Sequence, residues 1–187
     1  MAWLFLKRFT NLFDGTPKRL LHFAPESRLE RKLREIPNLD YLSADLDGER
    51  AMVAADIRDI PYPADSFDAI YCSHVLEHVV EDRVAMREMH RVLRPGGWAL
   101  VLVPIVGDHT FEDPTATTRE ARLRVFGQAD HVRQYGRDIV DRLRDAGFRA
   151  TVHSTSQIAE EEDVQRFGLH AGDSGVVLFC EKVKARG

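Results

Sequence analysis

The stretch "DIPYPADSFDAIYCSHVLEHVVEDRVAMREMHRVLRPGGWALVLVP", Asp59 to Pro104, carries in one run the signals from which an α/β sheet is built. Phe67 to Ser73 is a short apolar run behind the turn residues Pro61, Pro63, Ala64 and Asp65, and predicts a strand. From Val80 to Leu93 the apolar positions Val84, Met89, Val92 and Leu93 fall on one side of a helix, with charges elsewhere. Arg94-Pro95-Gly96-Gly97 should end that helix, because glycine accepts positive φ and lets the chain reverse into the next strand. Trp98 to Ile105 is apolar almost throughout, which suits a central parallel strand covered on both faces.

The same alternation extends outward. Lys18 to Ala24 follows the turn residues Asp14, Gly15 and Pro17 as a strand. Ser27-Arg28-Leu29-Glu30 has the form of a capping box; Leu29, Leu33 and Ile36 follow at helical spacing, and Pro37 stops the helix. Leu39 to Leu46 and the weaker Ala51 to Asp56 complete the upstream strands. Downstream, residues 107–134 are polar and irregular, with one short helix near Arg119 to Phe126. A helix from Gly136 to Ala146, stopped at Gly147, and strands at Phe148 to Ser154 and Val176 to Lys184 close the chain. Strands alternating with helices predict a doubly wound α/β sheet, and the absence of a repeat or linker predicts one domain over residues 1–187.

Composition narrows the function classes. Net charge is −4 with acids and bases interspersed, so no basic stripe is available to neutralise phosphates and no nucleic-acid partner is expected. Cys72 and Cys180 lie far apart and predict free thiols in a reducing compartment, hence the cytoplasm. The longest apolar run, Trp98 to Val106, is about half of a bilayer-spanning helix, so no transmembrane segment is expected. Residues 1–17 form an N-terminal helix region. Trp3, Leu4, Phe5, Leu6, Phe9, Leu12 and Phe13 are apolar at roughly helical spacing, and their order relative to Lys7 and Arg8 is not that of a secretion signal. Three readings stay open: a helix packed on the domain or over its active site, weak membrane-surface contact through residues 1–13, or a homodimer contact.

With its Pro-rich turn, Ser-Phe-Asp entry, Leu-x-His-Val step and Arg-Pro-Gly-Gly turn, Asp59 to Pro104 closely resembles the class I S-adenosylmethionine-dependent methyltransferases. The particular likeness is to the branch holding the quinone-biosynthesis C-methyltransferases. It covers Arg19 to about Val106, and the tail is similar in architecture only. The resemblance implies a Rossmann-like, seven-stranded, mostly parallel sheet with helices on both faces and the last strand antiparallel. It implies S-adenosyl-L-methionine as cofactor and methyl transfer to oxygen, nitrogen or carbon of a small-molecule substrate. Asp45, with Leu46 beside it, corresponds to the carboxylate that takes the ribose hydroxyls, unless it is a turn carboxylate. Asp56-Ile57 corresponds to the pair that meets the adenine amino group and packs on the ring. Ser73 and His74 line the path to the methionine half.

The family's first strand normally exits into a glycine-rich loop, and here His22-Phe23-Ala24-Pro25-Glu26-Ser27-Arg28 contains none. A dinucleotide pyrophosphate needs that glycine. S-adenosylmethionine carries no phosphate, and Phe23, small Ala24 and a carboxylate at Glu26 pairing the ammonium suit it. Methyl transfer asks mainly for in-line positioning, with a general base only where the acceptor holds its proton. His131 is the first candidate for base, with Asp130 or Asp108 orienting it, and His109 is the second. Arg133 is a candidate for an anionic substrate group, and Tyr135 for packing. His109, Glu112, Asp113 and His131 match no closed zinc spacing, so no metal is expected. Two rivals remain: other chemistry on the same cofactor, such as cyclisation or elimination, and a non-catalytic binding module.

Overall fold

A computed structural model describes residues 1–167 and 176–184. Parallel pairing joins β1 (Lys18–Phe23) to β2 (Leu39–Asp45) and β4 (Phe67–Ser73), β2 to β3 (Val53–Ala54), and β4 to β5 (Leu93–Leu102). The last strand, β9 (Val176–Glu181), runs antiparallel between β5 and β8 (Arg149–Ser154). The seven-stranded order is β3-β2-β1-β4-β5-β9-β8, the predicted Rossmann-like sheet with its last strand reversed. Strand order turns back between β1 and β4, which opens a crevice at their carboxyl ends.

Alternation within the buried strands divides the core into two layers. Leu21, Ile70, Cys72, Ala99 and Val101 face one side, against Met86 and Met89 of α3 (Asp82–Val92) and Leu143 of α5 (Ile139–Asp145). Leu20, Ala69, Tyr71 and Leu100 face the other, against Leu33 of α2 (Ser27–Arg34) and Phe5 and Leu6 of α1 (Ala2–Phe9). The first of the three N-terminal readings therefore describes the structure, as packing on the sheet and not over the crevice. Phe5 and Leu6 are fully buried, Arg8 donates to the Ile158 carbonyl at 2.9 Å, and Trp98 Nε1 donates to Asn11 Oδ1 at 2.9 Å. Among the described residues no helix is long and apolar enough to cross a membrane.

Several boundaries differ from expectation. The Ser27-x-x-Glu30 box does not form: Glu26 is the N-cap, its carbonyl accepting from Leu29 and Glu30, and Ser27 is the first helical residue. The third strand shrinks to two residues because Asp56 folds back to bridge Asp59. Helix α3 ends at Val92 without glycine, and Arg94–Gly97 lies inside β5, where the register with β4 shifts between Phe67 and Ala69. Gly96 has φ +87°, but Gly97 is there for room, since a Cβ would sit 2.8 Å from the Asp68 carbonyl. The 107–134 segment adds β6 (Phe111–Glu112), pairing with β7 (Arg133–Gln134), to the expected helix α4 (Arg119–Phe126). Two short helices, α6 (Thr155–Ile158) and α7 (Glu161–Phe167), follow β8 and were not read from the sequence.

Phe5→Ala should lower the free energy of urea unfolding by about 3–5 kcal/mol, the usual cost of emptying a buried aromatic site. An unchanged unfolding midpoint would show that α1 is not part of the core.

Candidate active site

The carboxyl ends of β1, β2 and β4 surround a cleft of about 470 Å³ lined by Phe23, Ala24, Asp45, Leu46, Asp56, Ile57 and His74. Two backbone positions there are left-handed without glycine, Ala24 at φ +49° and His74 at φ +53°. Each costs roughly 1–2 kcal/mol relative to an ordinary conformation. Each is held by the neighbouring strand: Ala24 N–H donates to the Ala44 carbonyl and His74 N–H to the Leu102 carbonyl, both at 2.9 Å. Ala24 thus makes the turn for which the resemblance leads one to expect glycine.

Glu26 and Ser73, expected in the same site, do not line the cleft. Glu26 Oε2 lies 2.8 Å from Nε2 of the buried His22, whose Nδ1 lies 2.9 Å from the Tyr41 hydroxyl. Because a carboxylate only accepts, His22 donates through Nε2, and a neutral ring would accept the Tyr41 proton at Nδ1. Burial pushes the Glu26 carboxyl up; the hydrogen bond and charge of His22 outweigh it and hold the pKa below the ordinary value. Asp45 is half-buried and accepts the Asp47 N–H at 2.9 Å through Oδ1. Asp56 is more committed than its assigned role requires, because Arg58 binds both its oxygens at 2.7–3.1 Å and continues to Glu81 at 2.6 Å. Ile57 is buried beside it.

The segment after β5 is fastened to the β4 exit by Arg133. This side chain is 3% exposed and donates to the carbonyls of Leu76, Val79 and Val80 and to Glu112. It is therefore unavailable to an anionic substrate, contrary to expectation. Tyr135 packs as expected, fully buried with its hydroxyl 2.8 Å from Asp82. The Val132 N–H donates to the Glu77 carbonyl at 3.0 Å, which brings His131 edge-on to His78 with ring centroids 4.8 Å apart.

Neither expected orienting group serves His131. Asp130 turns to His78, whose Nδ1 lies 3.2 Å from its carbonyl and 3.6 Å from its carboxylate, and Asp108 pairs with Arg137 at 3.5 Å. Burial and the neighbouring His78 hold the His131 pKa below its ordinary value. His109 is exposed and outside the cleft lining, its backbone pressed against Gly136. The four residues weighed as a metal set are dispersed: Glu112 pairs with Arg133 and Arg142, and Asp113 holds Thr115.

Glu77, which the sequence reading missed, shares a short helical turn, Leu76–His78, with His78. Glu77 is 1% exposed, with Oε1 3.1 Å from His74 Nδ1 and Oε2 buried without a hydrogen-bond partner. Ligating atoms of Glu77, His78 and His131 lie within 4.8 Å of one another. The His-x-x-Glu-His spacing from His74 to His78 was the available signal, but its partner comes from a segment 52 residues on.

Comparison with known proteins agrees with this architecture. Residues 27–101 match the family model described as a methyltransferase domain. A ubiquinone/menaquinone biosynthesis C-methyltransferase of Escherichia fergusonii is 34% identical over 95 residues, covering 51% of this chain and 36% of that protein, so the match spans about a third of the relative's length. Phosphoethanolamine N-methyltransferase 2 of Haemonchus contortus, solved with S-adenosyl-L-methionine, superposes with a TM-score of 0.67 at 14% identity, over 98% of this chain and 52% of that one. The [4+2]-cyclase SpnF superposes with a TM-score of 0.62 at 17% identity, over 93% of this chain and 79% of that one. The likeness in sequence to the methyltransferase domain rests on residues 27–101, and the curated relative it matches is a quinone-biosynthesis C-methyltransferase. By its fold and by the sequence of that segment, the chain is similar to methyltransferase domains.

The depressed Glu26 pKa carries a sign. Its stabilisation is present above the unfolded value, 4.5, and is lost as pH falls through the lower folded value. Glu26→Gln should lower the urea midpoint at pH 7 by less than about 1 kcal/mol equivalent, because the side chain is partly exposed. That difference should vanish in strong acid; a difference independent of pH would show that charge on Glu26 is not involved.

Proposed function

We propose that this chain transfers a methyl group from S-adenosyl-L-methionine to a small-molecule acceptor, as a single-domain cytoplasmic enzyme without a nucleic-acid partner. The observation that carries the reading is the cleft at the β1/β4 switch point, with the Asp45 carboxylate at the second strand exit and no glycine loop for a pyrophosphate. Asp45 takes the ribose hydroxyls, with Leu46 beside it. Ile57 packs on the adenine, and Asp56 faces its amino group while holding Arg58. Phe23 and Ala24 let the methionine half approach the backbone, with His74 along its path, while Glu26, held by His22, and Ser73 are left out of that role. The segment 107–134 forms the acceptor side. His131, flanked by Asp130 and His78, is the residue that acts on the acceptor, and exposed His109 is left out of that role.

A second reading keeps the cofactor but not the transfer, and is favoured by the superposition on a [4+2]-cyclase. A methyl-labelled donor separates the two, since only a transferase moves the label to another molecule.

S-adenosylhomocysteine should raise the melting temperature while NAD and NADP leave it unchanged, because a ligand of the native state stabilises it. Asp45→Asn should weaken that binding by about 1–3 kcal/mol, roughly 5–150-fold, with folding intact. Normal affinity in this variant would remove Asp45 from the site. His131→Ala should lower kcat by about 10²–10⁴-fold with cofactor affinity unchanged. Unchanged turnover would leave positioning alone as the mechanism.

A further inference from the structure

The geometry points to a divalent transition-metal site made by Glu77, His78 and His131 at the acceptor end of the cleft. Two imidazoles and one carboxylate form a donor set used for zinc and for iron(II), three protein ligands that leave positions open for substrate. The ligating atoms lie within 4.8 Å of one another. Metal–ligand bonds of about 2.0–2.2 Å bring tetrahedral ligand atoms to roughly 3.4 Å, so the site closes by side-chain movements of about 1 Å.

Two independent features support the assignment. Glu77 is 1% exposed, yet its Oε2 has no hydrogen-bond partner among the described residues. An unmatched carboxylate oxygen removed from water is costly, and a cation offsets that cost. Around it, the outer partners are those of ligating groups. His78 Nδ1 can only donate to the Asp130 carbonyl at 3.2 Å, which leaves its Nε2 lone pair for a metal, and Glu77 Oε1 is held by His74 Nδ1 at 3.1 Å. His131 has no carboxylate orienting it as a base, because Asp130 serves His78. Of the three ligands His78 lines the cleft, between His74 and Asp130, so the site adjoins the cleft at His78. The acceptor would then be a molecule that offers the metal an oxygen anion, a hydroxyl, enol or carboxylate. That clause rests on the methyl-transfer reading; the metal site itself does not.

The test is titration of the whole, chelator-stripped chain with Co²⁺, followed by visible absorption and calorimetry, with the S-adenosylhomocysteine melting shift measured on every sample. Saturation at one equivalent, with bands of four- or five-coordinate cobalt bleached by Zn²⁺, is expected. Glu77→Gln and His131→Ala should each weaken binding at least tenfold, and His153→Gln should not change it. No stoichiometric uptake by the parent chain overturns the proposal, as does parent-like binding by both variants. If His131→Ala does not fold, His78→Asn, at a partly exposed side chain, decides by the same criterion. No Co²⁺ uptake by the parent chain, with its melting shift present, sinks the metal site alone. Retained Co²⁺ binding without any melting shift supports the metal site and sinks the cofactor reading alone.

Discussion

Arg133 donates to three consecutive-turn carbonyls, those of Leu76, Val79 and Val80, and to the Glu112 carboxylate, from a position almost closed to solvent. Those carbonyls belong to the stretch between β4 and α3, where the Leu76 carbonyl also accepts the Val79 N–H at 3.2 Å. A buried guanidinium with five donors in a fixed fork reaches all three at once. The same contact holds the segment after β5 against the β4 exit. Asp82 extends the network, taking the Tyr135 hydroxyl at 2.8 Å and Arg142 at 2.9 Å. Cutting any member would strand buried charge, which is more costly than losing a surface pair.

From this fastening the acceptor side of the cleft follows. Val132 donates to Glu77, His131 turns onto His78, and Asp130 caps the far nitrogen of that ring. The cofactor side depends on a different constraint, the left-handed turns at Ala24 and His74, which end two parallel strands abruptly so that the crevice between them stays open. A sheet wound in both directions from β1 and β4 thus offers a rigid floor, with one wall made by strand exits and the other by a docked loop.

Much of this was legible in the residues, for reasons that can be named. Trp98 to Val101 are buried on both faces, and the almost unbroken apolarity of that run announced it. Tyr135 was rightly assigned to packing. Ser27 and Glu30 formed a plausible cap, but Glu26 supplied the backbone carbonyl one residue earlier. The turn at Arg94–Gly97 looked like a helix stop, because a bulge and a cap both use glycine, and only pairing with β4 tells them apart. Arg133 looked like a substrate ligand because nothing local reveals that its partners are carbonyls more than 50 residues upstream. Glu77 was passed over for the same reason: its burial and its meeting with His131 are products of tertiary docking.

The central claim is that this cleft receives S-adenosylmethionine between the strand exits and presents it to the acceptor wall. A crystal structure grown with S-adenosylhomocysteine tests it most directly. The ribose hydroxyls should lie on Asp45, the adenine against Ile57, and the sulfur should face the rim formed by His74 and His78. A map at saturating ligand with no density in the cleft, or with the sulfur turned away from that rim, would contradict the account.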